Sequence, residues 1–444
     1  MDRIVSKKGP LRGTVELPGD KSVSHRAAIL LAISEGEAEI LNYSGAGDCA
    51  STLECLKALG VPIEQSGENV AVRGRGKFGL KSPLSKLQCG NSGTTMRLLA
   101  GLLAGQRFES VLVGDDSLSS RPMSRVAKPL RMMGAGVEAR SGTAPLEIAG
   151  VQPLKPLEYD LPIESAQLKS CLLLAGLYSN GISTFRMPTS GQRAPVSRDH
   201  TERMLRFLEV GLEEEFIKKG SEYRHELRIS GDEVPVAHDI HVPGDLSSAV
   251  YFIAGACGIK DSELTVKNVG LNPTRAGFLR FMRKCGFRII ESGVSVVCGE
   301  PKGQLHVDWK AECDVTGERV VVKGDEIANL IDEVPLIGVM GTRLPGGVEV
   351  RDASELRVKE SDRISVTVEN LRLMGADIEE FQDGFRVGMS ELQGADVDSN
   401  GDHRIAMAFS IAALFATGET RIINSDCVAV SYPAFFKTLE DLNR

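Results

Sequence analysis

The residues of this chain best suited to chemistry stand in short clusters that mix small polar side chains with basic or acidic ones. These are Lys21-Ser22-Val23-Ser24-His25-Arg26, Gly90-Asn91-Ser92-Gly93-Thr94-Thr95, Ser165-Ala166-Gln167, Asp245-Leu246-Ser247-Ser248, Asp332-Glu333 and Asp402-His403-Arg404. Each stands at the start of an apolar, Ala/Leu-rich stretch. A helix starting there presents free backbone N–H groups and about half a positive charge, so several converging starts would form an anion site. Ser, Asp and Asn also serve as ordinary helix caps, which accounts for their presence without any ligand. Capping does not account for Lys21, Arg26 and Arg404, because a cation opposes the dipole at that end; something anionic must compensate them. Two further basic groups are Arg121-Pro122 and the run Arg357-Val358-Lys359-Glu360-Ser361-Asp362-Arg363. Alternating charges of the second kind, taken alone, read as the solvated face of a helix.

Other signals carry less. Gly74-Arg75-Gly76-Lys77-Phe78-Gly79 fits GxGxxG after a strand-like Val70-Ala71-Val72, but Pro83 interrupts the helix a dinucleotide site would need, so a plain turn is expected. No GxxxxGK[ST] occurs. His25, His200 and His403 are separated from one another and from cysteine, which gives no metal spacing. Trp309 reads as a surface or packing residue.

The elements that must position these clusters repeat. Six segments, His25–Leu41, Thr94–Val113, Ser165–Phe185, Leu246–Val266, Asp332–Val350 and His403–Ile423, each run from polar residues through an apolar stretch to a glycine and a β-branched strand. The period is roughly 70–90 residues, to be read as a repeat architecture. The first helix of each unit, as in Ala27-Ala28-Ile29-Leu30-Leu31-Ala32-Ile33, is apolar almost all round and must be surrounded by protein. A second helix is amphipathic: Leu53, Leu56 and Leu59 share one face, as do Val126, Leu130 and Met133. Leu17-Pro18-Gly19-Asp20-Lys21-Ser22 and Val242-Pro243-Gly244-Asp245-Leu246-Ser247 begin the two halves alike. The expectation is an α/β protein of two similar lobes, residues 1–19 plus 243–444 and residues 20–242, each of three βαβαββ units with buried parallel helices and with the site in a cleft between them.

Bulk composition excludes several classes. Over 444 residues the formal charge is −8, which argues against a nucleic-acid surface and requires any anion site to be local. Nine scattered cysteines, an odd number without a CxxC pair, suit a reducing compartment. No apolar run of eighteen residues occurs and the first eight residues lack a signal-peptide core, so the cytoplasm is expected, with no membrane association.

Five motifs in order, Leu17 to Arg26, Gly90 to Thr94, Ser119-Ser120-Arg121-Pro122, Val358 to Arg363 and Gly401 to Arg404, resemble those of the enolpyruvyl transferases, and among them the 5-enolpyruvylshikimate-3-phosphate synthases. The resemblance covers nearly the whole chain. It implies the inside-out α/β barrel of that family, with threefold pseudo-symmetry in each lobe. It also implies the reaction of shikimate 3-phosphate with phosphoenolpyruvate, without metal or organic cofactor, in aromatic amino-acid biosynthesis. By the same resemblance Lys21, Ser22, Arg26, Ser165, Gln167, Asp332 and Lys359 bind shikimate 3-phosphate. Lys21, Gly93, Arg121, Gln167, Arg363 and Arg404 bind phosphoenolpyruvate. Asp332 takes the proton of the attacking hydroxyl, Glu360 handles the proton at the methylene carbon, and Lys21 assists. The enzyme is expected to be a monomer with small molecules as its partners.

The chain departs from some members of the family. Ala166 replaces a serine, Glu355 an asparagine, and Val430 a lysine that binds phosphoenolpyruvate, while Ser197 and Arg198 lie in a loop that touches the shikimate phosphate in relatives. The nearest rival is the transferase acting on UDP-N-acetylglucosamine. Its reactive cysteine would stand where this chain has Asp116, and its asparagine where it has Ser22. A non-catalytic anion-binding scaffold would be marked by loss of the acid–base carboxylates, and Asp332 and Glu360 are both present.

Overall fold

A computed structural model of the chain describes residues 2–163, 165–189, 197–220, 222–309 and 317–444. The six apolar segments are helices: Lys21–Ala32, Gly93–Ala104, Ala166–Gly176, Leu246–Gly258, Val334–Gly341 and His403–Phe415. Lacking a polar face, they bury nearly everything; every residue from Val23 to Ala32 and from Leu246 to Cys257 is buried. Close packing of two of them requires a glycine. A Cβ on Gly101 would lie 2.1 Å from the carbonyl oxygen of Cys171, so the second and third core helices meet backbone to backbone.

Five of the six are capped as their first residues predict. The side chains of Asp20, Ser92, Ser165, Asp245 and Asp402 accept from backbone N–H groups of the first turn. The fifth helix instead follows Glu333 and carries Pro335 in its first turn, where a missing N–H costs nothing.

Around each core helix the strands follow one pattern. Leu87–Gln88 and Glu109–Val113 run parallel across the second core helix, then Leu146–Ala149 and Gly136–Ala139 extend the sheet antiparallel. The third and fifth repeats do the same. The first and fourth borrow their leading strands from a distant part of the chain: Ile240–His241 pairs parallel with Glu37–Leu41, and Arg12–Glu16 with Glu263–Gly270. The sixth is shortened to Asp396–Asp398 and Thr420–Ile423, with Arg3–Val5 added antiparallel. The repeated βαβαββ unit is therefore present.

The chain divides into two units. One comprises Met1–Pro18, Pro243–Ser295 and Pro301–Arg444; the other comprises Gly19–Val242 with Val296–Glu300. Each has its own apolar core built on three of the helices. The second helices are Gly47–Ala58, Ser124–Met132, His200–Phe207, Gly277–Lys284, Arg363–Leu373 and Phe435–Leu442.

The charged run 357–363, which taken alone reads as a solvated helix face, is not one: a short 3₁₀ turn, Ser354–Val358, passes through a loop to Asp362, which caps the helix beginning at Arg363. The GxGxxG stretch is a turn, in which the buried Lys77 ammonium donates to the carbonyls of Leu177 (3.0 Å) and Gly231 (2.6 Å). The eight described cysteines are free thiols, while Cys313 lies outside the described residues. No helix among the described residues is long and apolar enough to cross a membrane.

Candidate active site

In the unit containing residues 19–242 the starts of three core helices hold a group rich in N–H donors. Gly93 opens its helix so that a Cβ would come 2.8 Å from Nη1 of Arg97 and 3.5 Å from Nη1 of Arg121. Arg97 Nη1 donates to Gln167 Oε1 at 2.5 Å, and Gln167 Nε2 donates to Thr94 Oγ1 at 3.0 Å, which joins the second core helix to the third. Arg121 Nη2 donates to Asn91 Oδ1 at 2.8 Å and to Ser117 Oγ at 3.2 Å. Gly93, Arg121 and Gln167 are therefore gathered as expected, and Arg97 joins them. Ser165 caps the third helix by accepting from Leu168 N at 3.3 Å, which leaves its hydroxyl proton to donate.

Lys21 lies on the first turn of the first core helix with its Nζ 3.0 Å from Oδ2 of Asp48, both side chains largely buried. The hydroxyl of Thr95 lies 3.4 Å from the Asp48 carbonyl and 2.7 Å from Ser92 Oγ, tying this pair to the start of the second helix. Arg26 is buried and donates to Thr201 Oγ1 (2.7 Å), Ser22 O (2.9 Å) and Ser170 Oγ (2.9 Å). Burial pushes its pKa down to about 10, against the opposing charge of Glu202. A dianionic phosphate nearby would relieve that cost. Next to it Lys169 and Glu202 form a fully buried ion pair of 2.6 Å, and Lys169 Nζ lies 3.5 Å from the carbonyl of Ser197.

The other unit concentrates carboxylates. Arg363, almost wholly buried, donates Nε to Asp402 Oδ2 (2.8 Å), Nη1 to Asp332 Oδ1 (3.2 Å) and Nη2 to Glu360 Oε2 (2.6 Å) and Asp402 Oδ1 (3.4 Å). Four of the five N–H directions of a guanidinium are thereby taken. Burial opposes its charge, but Asp402, Glu360 and Asp332 outweigh that and hold its pKa well above the ordinary value. Arg404 is buried with Nη2 3.9 Å from Asp332 and Nη1 3.8 Å from Glu333; burial again works against the charge, and Tyr251, Asp332, Glu333 and Asp245 more than restore it. Lys359, half-buried in the same loop, has its pKa lowered by burial and by Arg363, with Asp332 and Glu360 opposing. Asp332, Glu360, Lys359, Arg363 and Arg404 are thus one cluster.

The anion required by Lys21 and Arg404 is in part the protein's own carboxylate, Asp48 in one case and Asp332 with Glu333 in the other. Asp48 and Arg97 were not singled out in the sequence, although Arg97 is the lone charge in the apolar helix GTTMRLLAGLLA and could have been. Among the departures, Val430 ends a short 3₁₀ turn half-buried, Glu355 lies in the turn before Lys359, and Ala166 is the first residue of its helix. Chemically, the first group suits anion capture by paired donors. The second holds Asp332 and Glu360 on one guanidinium with the Lys359 ammonium in electrostatic reach of both, the equipment of proton transfer.

The family model described as EPSP synthase (3-phosphoshikimate 1-carboxyvinyltransferase) matches residues 5–439. The chain belongs to that family. A curated EPSP synthase relative, the 3-phosphoshikimate 1-carboxyvinyltransferase of Geobacillus kaustophilus, is 44% identical over 444 residues, covering 97% of this chain and 98% of the relative. That of Salinibacter ruber is 44% identical and covers 99% of both chains. The solved EPSP synthase of Acinetobacter baumannii superposes with a TM-score of 0.84 at 37% identity, covering 99% of this chain and 98% of the other. The enolpyruvyl transferase NikO of Streptomyces tendae, at 18% identity and a TM-score of 0.74 over 99% of this chain and 96% of its own, shares the fold. The enolpyruvyl transferase type of inside-out barrel is therefore the architecture of the EPSP synthases and of this chain.

Proposed function

We propose that the chain transfers the enolpyruvyl group of phosphoenolpyruvate to the 5-hydroxyl of shikimate 3-phosphate and releases phosphate. The observation that carries this reading is the cluster of Asp332 and Glu360 on Arg363 beside Lys359, in a chain whose relatives are named 3-phosphoshikimate 1-carboxyvinyltransferase. Addition needs the attacking hydroxyl to lose a proton as its oxygen bonds to C2, and the methylene carbon to gain one. Asp332 serves the first need and Glu360 the second. Elimination then returns a methyl proton to Glu360 as the C2–O bond to phosphate breaks and the enol double bond reforms. Lys359 and Lys21 hold charge on the oxygens during both steps.

In this reading Lys21, Ser22, Arg26, Ser165 and Gln167 take the shikimate phosphate and ring, with Asp332 and Lys359 at the reacting hydroxyl. Lys21, Gly93, Arg121, Gln167, Arg363 and Arg404 take phosphoenolpyruvate. Gly93 leaves room for a close backbone approach to an anion. The enzyme works as a cytoplasmic monomer on small molecules, without metal or organic cofactor. The rival acceptor, UDP-N-acetylglucosamine, is disfavoured by Asp116 and by Ser22. Phosphate release from phosphoenolpyruvate is measured with each acceptor in turn: turnover with shikimate 3-phosphate is expected, and turnover confined to the nucleotide sugar would refute the assignment.

A further inference from the structure

We propose that Glu333, held through Ser247 and Arg275, is a positioning residue that sets the guanidinium of Arg404 for phosphoenolpyruvate. The inference rests on the reading that Arg404 contacts that substrate. Glu333 is buried at the start of the fifth core helix and performs no side-chain capping there. A buried carboxylate that caps nothing needs another reason to be charged and in place.

Its surroundings supply one. Ser247 Oγ donates to Glu333 Oε1 at 2.6 Å, and Arg275 Nη2 donates to the same Ser247 Oγ at 2.7 Å and to Asp245 Oδ1 at 3.2 Å. The direction of this chain is fixed, because a guanidinium cannot accept and a carboxylate cannot donate. Ser247 must therefore give its proton to Glu333. The carbonyl of the same residue accepts from Arg404 Nη1 at 3.4 Å, while Glu333 Oε1 faces that nitrogen at 3.8 Å. Arg404 is thus held on one edge by Ser247 and Glu333.

On its other edge stands Asp332, with Oδ2 3.9 Å from Nη2. Neither carboxylate is at contact distance, so the guanidinium rests between two acids instead of being locked to either. Without the charge of Glu333 the balance tips toward Asp332. A closer Arg404–Asp332 pair would turn the donors of Arg404 away from an incoming carboxylate or phosphate. Asp332 also faces Arg363 and Lys359, and through Arg363 Glu360 and Asp402, so its side of the balance is anchored.

The test is steady-state kinetics of Glu333→Gln, Glu333→Asp, Ser247→Ala and Arg404→Gln beside the unaltered enzyme, with each substrate varied in turn. Glu333→Gln is expected to raise KM for phosphoenolpyruvate on the order of tenfold. KM for shikimate 3-phosphate should stay within about twofold, and Glu333→Asp should recover part of the loss. If Glu333→Gln does not fold, Ser247→Ala carries the test, since it deletes a single hydroxyl and should give a smaller effect confined to the same substrate. An unchanged KM for phosphoenolpyruvate in a folded Glu333→Gln or Ser247→Ala enzyme overturns the inference, as does a parallel rise of both KM values. Arg404→Gln separates the two layers. If it weakens phosphoenolpyruvate while Glu333→Gln does not, the positioning role alone is lost; if it leaves phosphoenolpyruvate unaffected, the assignment of Arg404 fails and the inference with it.

Discussion

The two halves of the chain start from nearly the same backbone and use it for different chemistry. Gly19-Asp20-Lys21-Ser22 and Gly244-Asp245-Leu246-Ser247 each enter a core helix through an aspartate whose carboxylate caps the first turn, at 3.0 Å for Asp20 and 2.8 Å for Asp245. Each glycine lies against the carbonyl of an asparagine with positive φ, Asn42 at 59° and Asn268 at 50°. The third residue then separates them. Lys21 carries its charge to Asp48, whereas Leu246 is buried in the apolar core. The fourth separates them again: the carbonyl of Ser22 takes a bond from Arg26 one turn later, while the hydroxyl of Ser247 joins Arg275 to Glu333. A repeated frame fixes where helix ends stand, and one or two side chains decide whether an end gathers anions or orders acids.

If that division holds, the largest effect comes from removing the base in the carboxylate-rich unit. Asp332→Asn should lower kcat by about 10²–10⁴, the range ordinary for a general base. Affinity for both substrates should move only a few-fold, measured by phosphate release and by equilibrium binding. A normal kcat with weakened binding would move Asp332 to the anion-capturing side of the comparison.

Next in size is the fully buried ion pair of the other unit. Lys169→Met would remove the cation in contact with the buried Glu202 and leave only the more distant charge of Arg26 to offset it, a loss of up to about 3–5 kcal/mol of stability in urea unfolding. Lys21→Met is milder in stability and heavier in binding. The Lys21–Asp48 pair, with side chains 17% and 13% exposed, keeps more contact with solvent than Lys169–Glu202, so its loss costs less than the loss of that pair. Deleting a charged donor to substrate should weaken binding by about 1.5–3 kcal/mol in calorimetric titration. Unchanged affinity in Lys21→Met would break the assignment of that unit to anion capture.

These contrasts also mark what was legible in the sequence. The six core helices could be read because an all-apolar stretch has one stable place, the interior, and a polar residue just before it has one ready use, the cap. Lys21, Arg26 and Arg404 stood out for the same reason, as residues that capping does not explain. Taken alone, the run 357–363 fits an exposed helix, and it was the family resemblance that marked Lys359, Glu360 and Arg363; Arg363 is drawn inward by Glu360, by Asp332 31 residues earlier in the same repeat and by Asp402 of the next. Asp48, Arg97 and the Ser247–Glu333 link stayed hidden because each owes its role to a partner 27 to 86 residues away, a distance that local spacing does not encode.

The smallest expected effect is the most discriminating for the shared frame. Asp20→Ala and Asp245→Ala each remove one cap and should each cost about 1 kcal/mol from the lost bond alone. The two sites are not otherwise equivalent. Asp245 also accepts from the buried guanidinium of Arg275 at 3.2 Å, so its loss should cost more than that of Asp20. Urea unfolding of the two variants side by side measures the difference. Equal losses would mean that the bond from Arg275 adds nothing to the cap of Asp245, and that the two helix starts differ less than their side chains suggest.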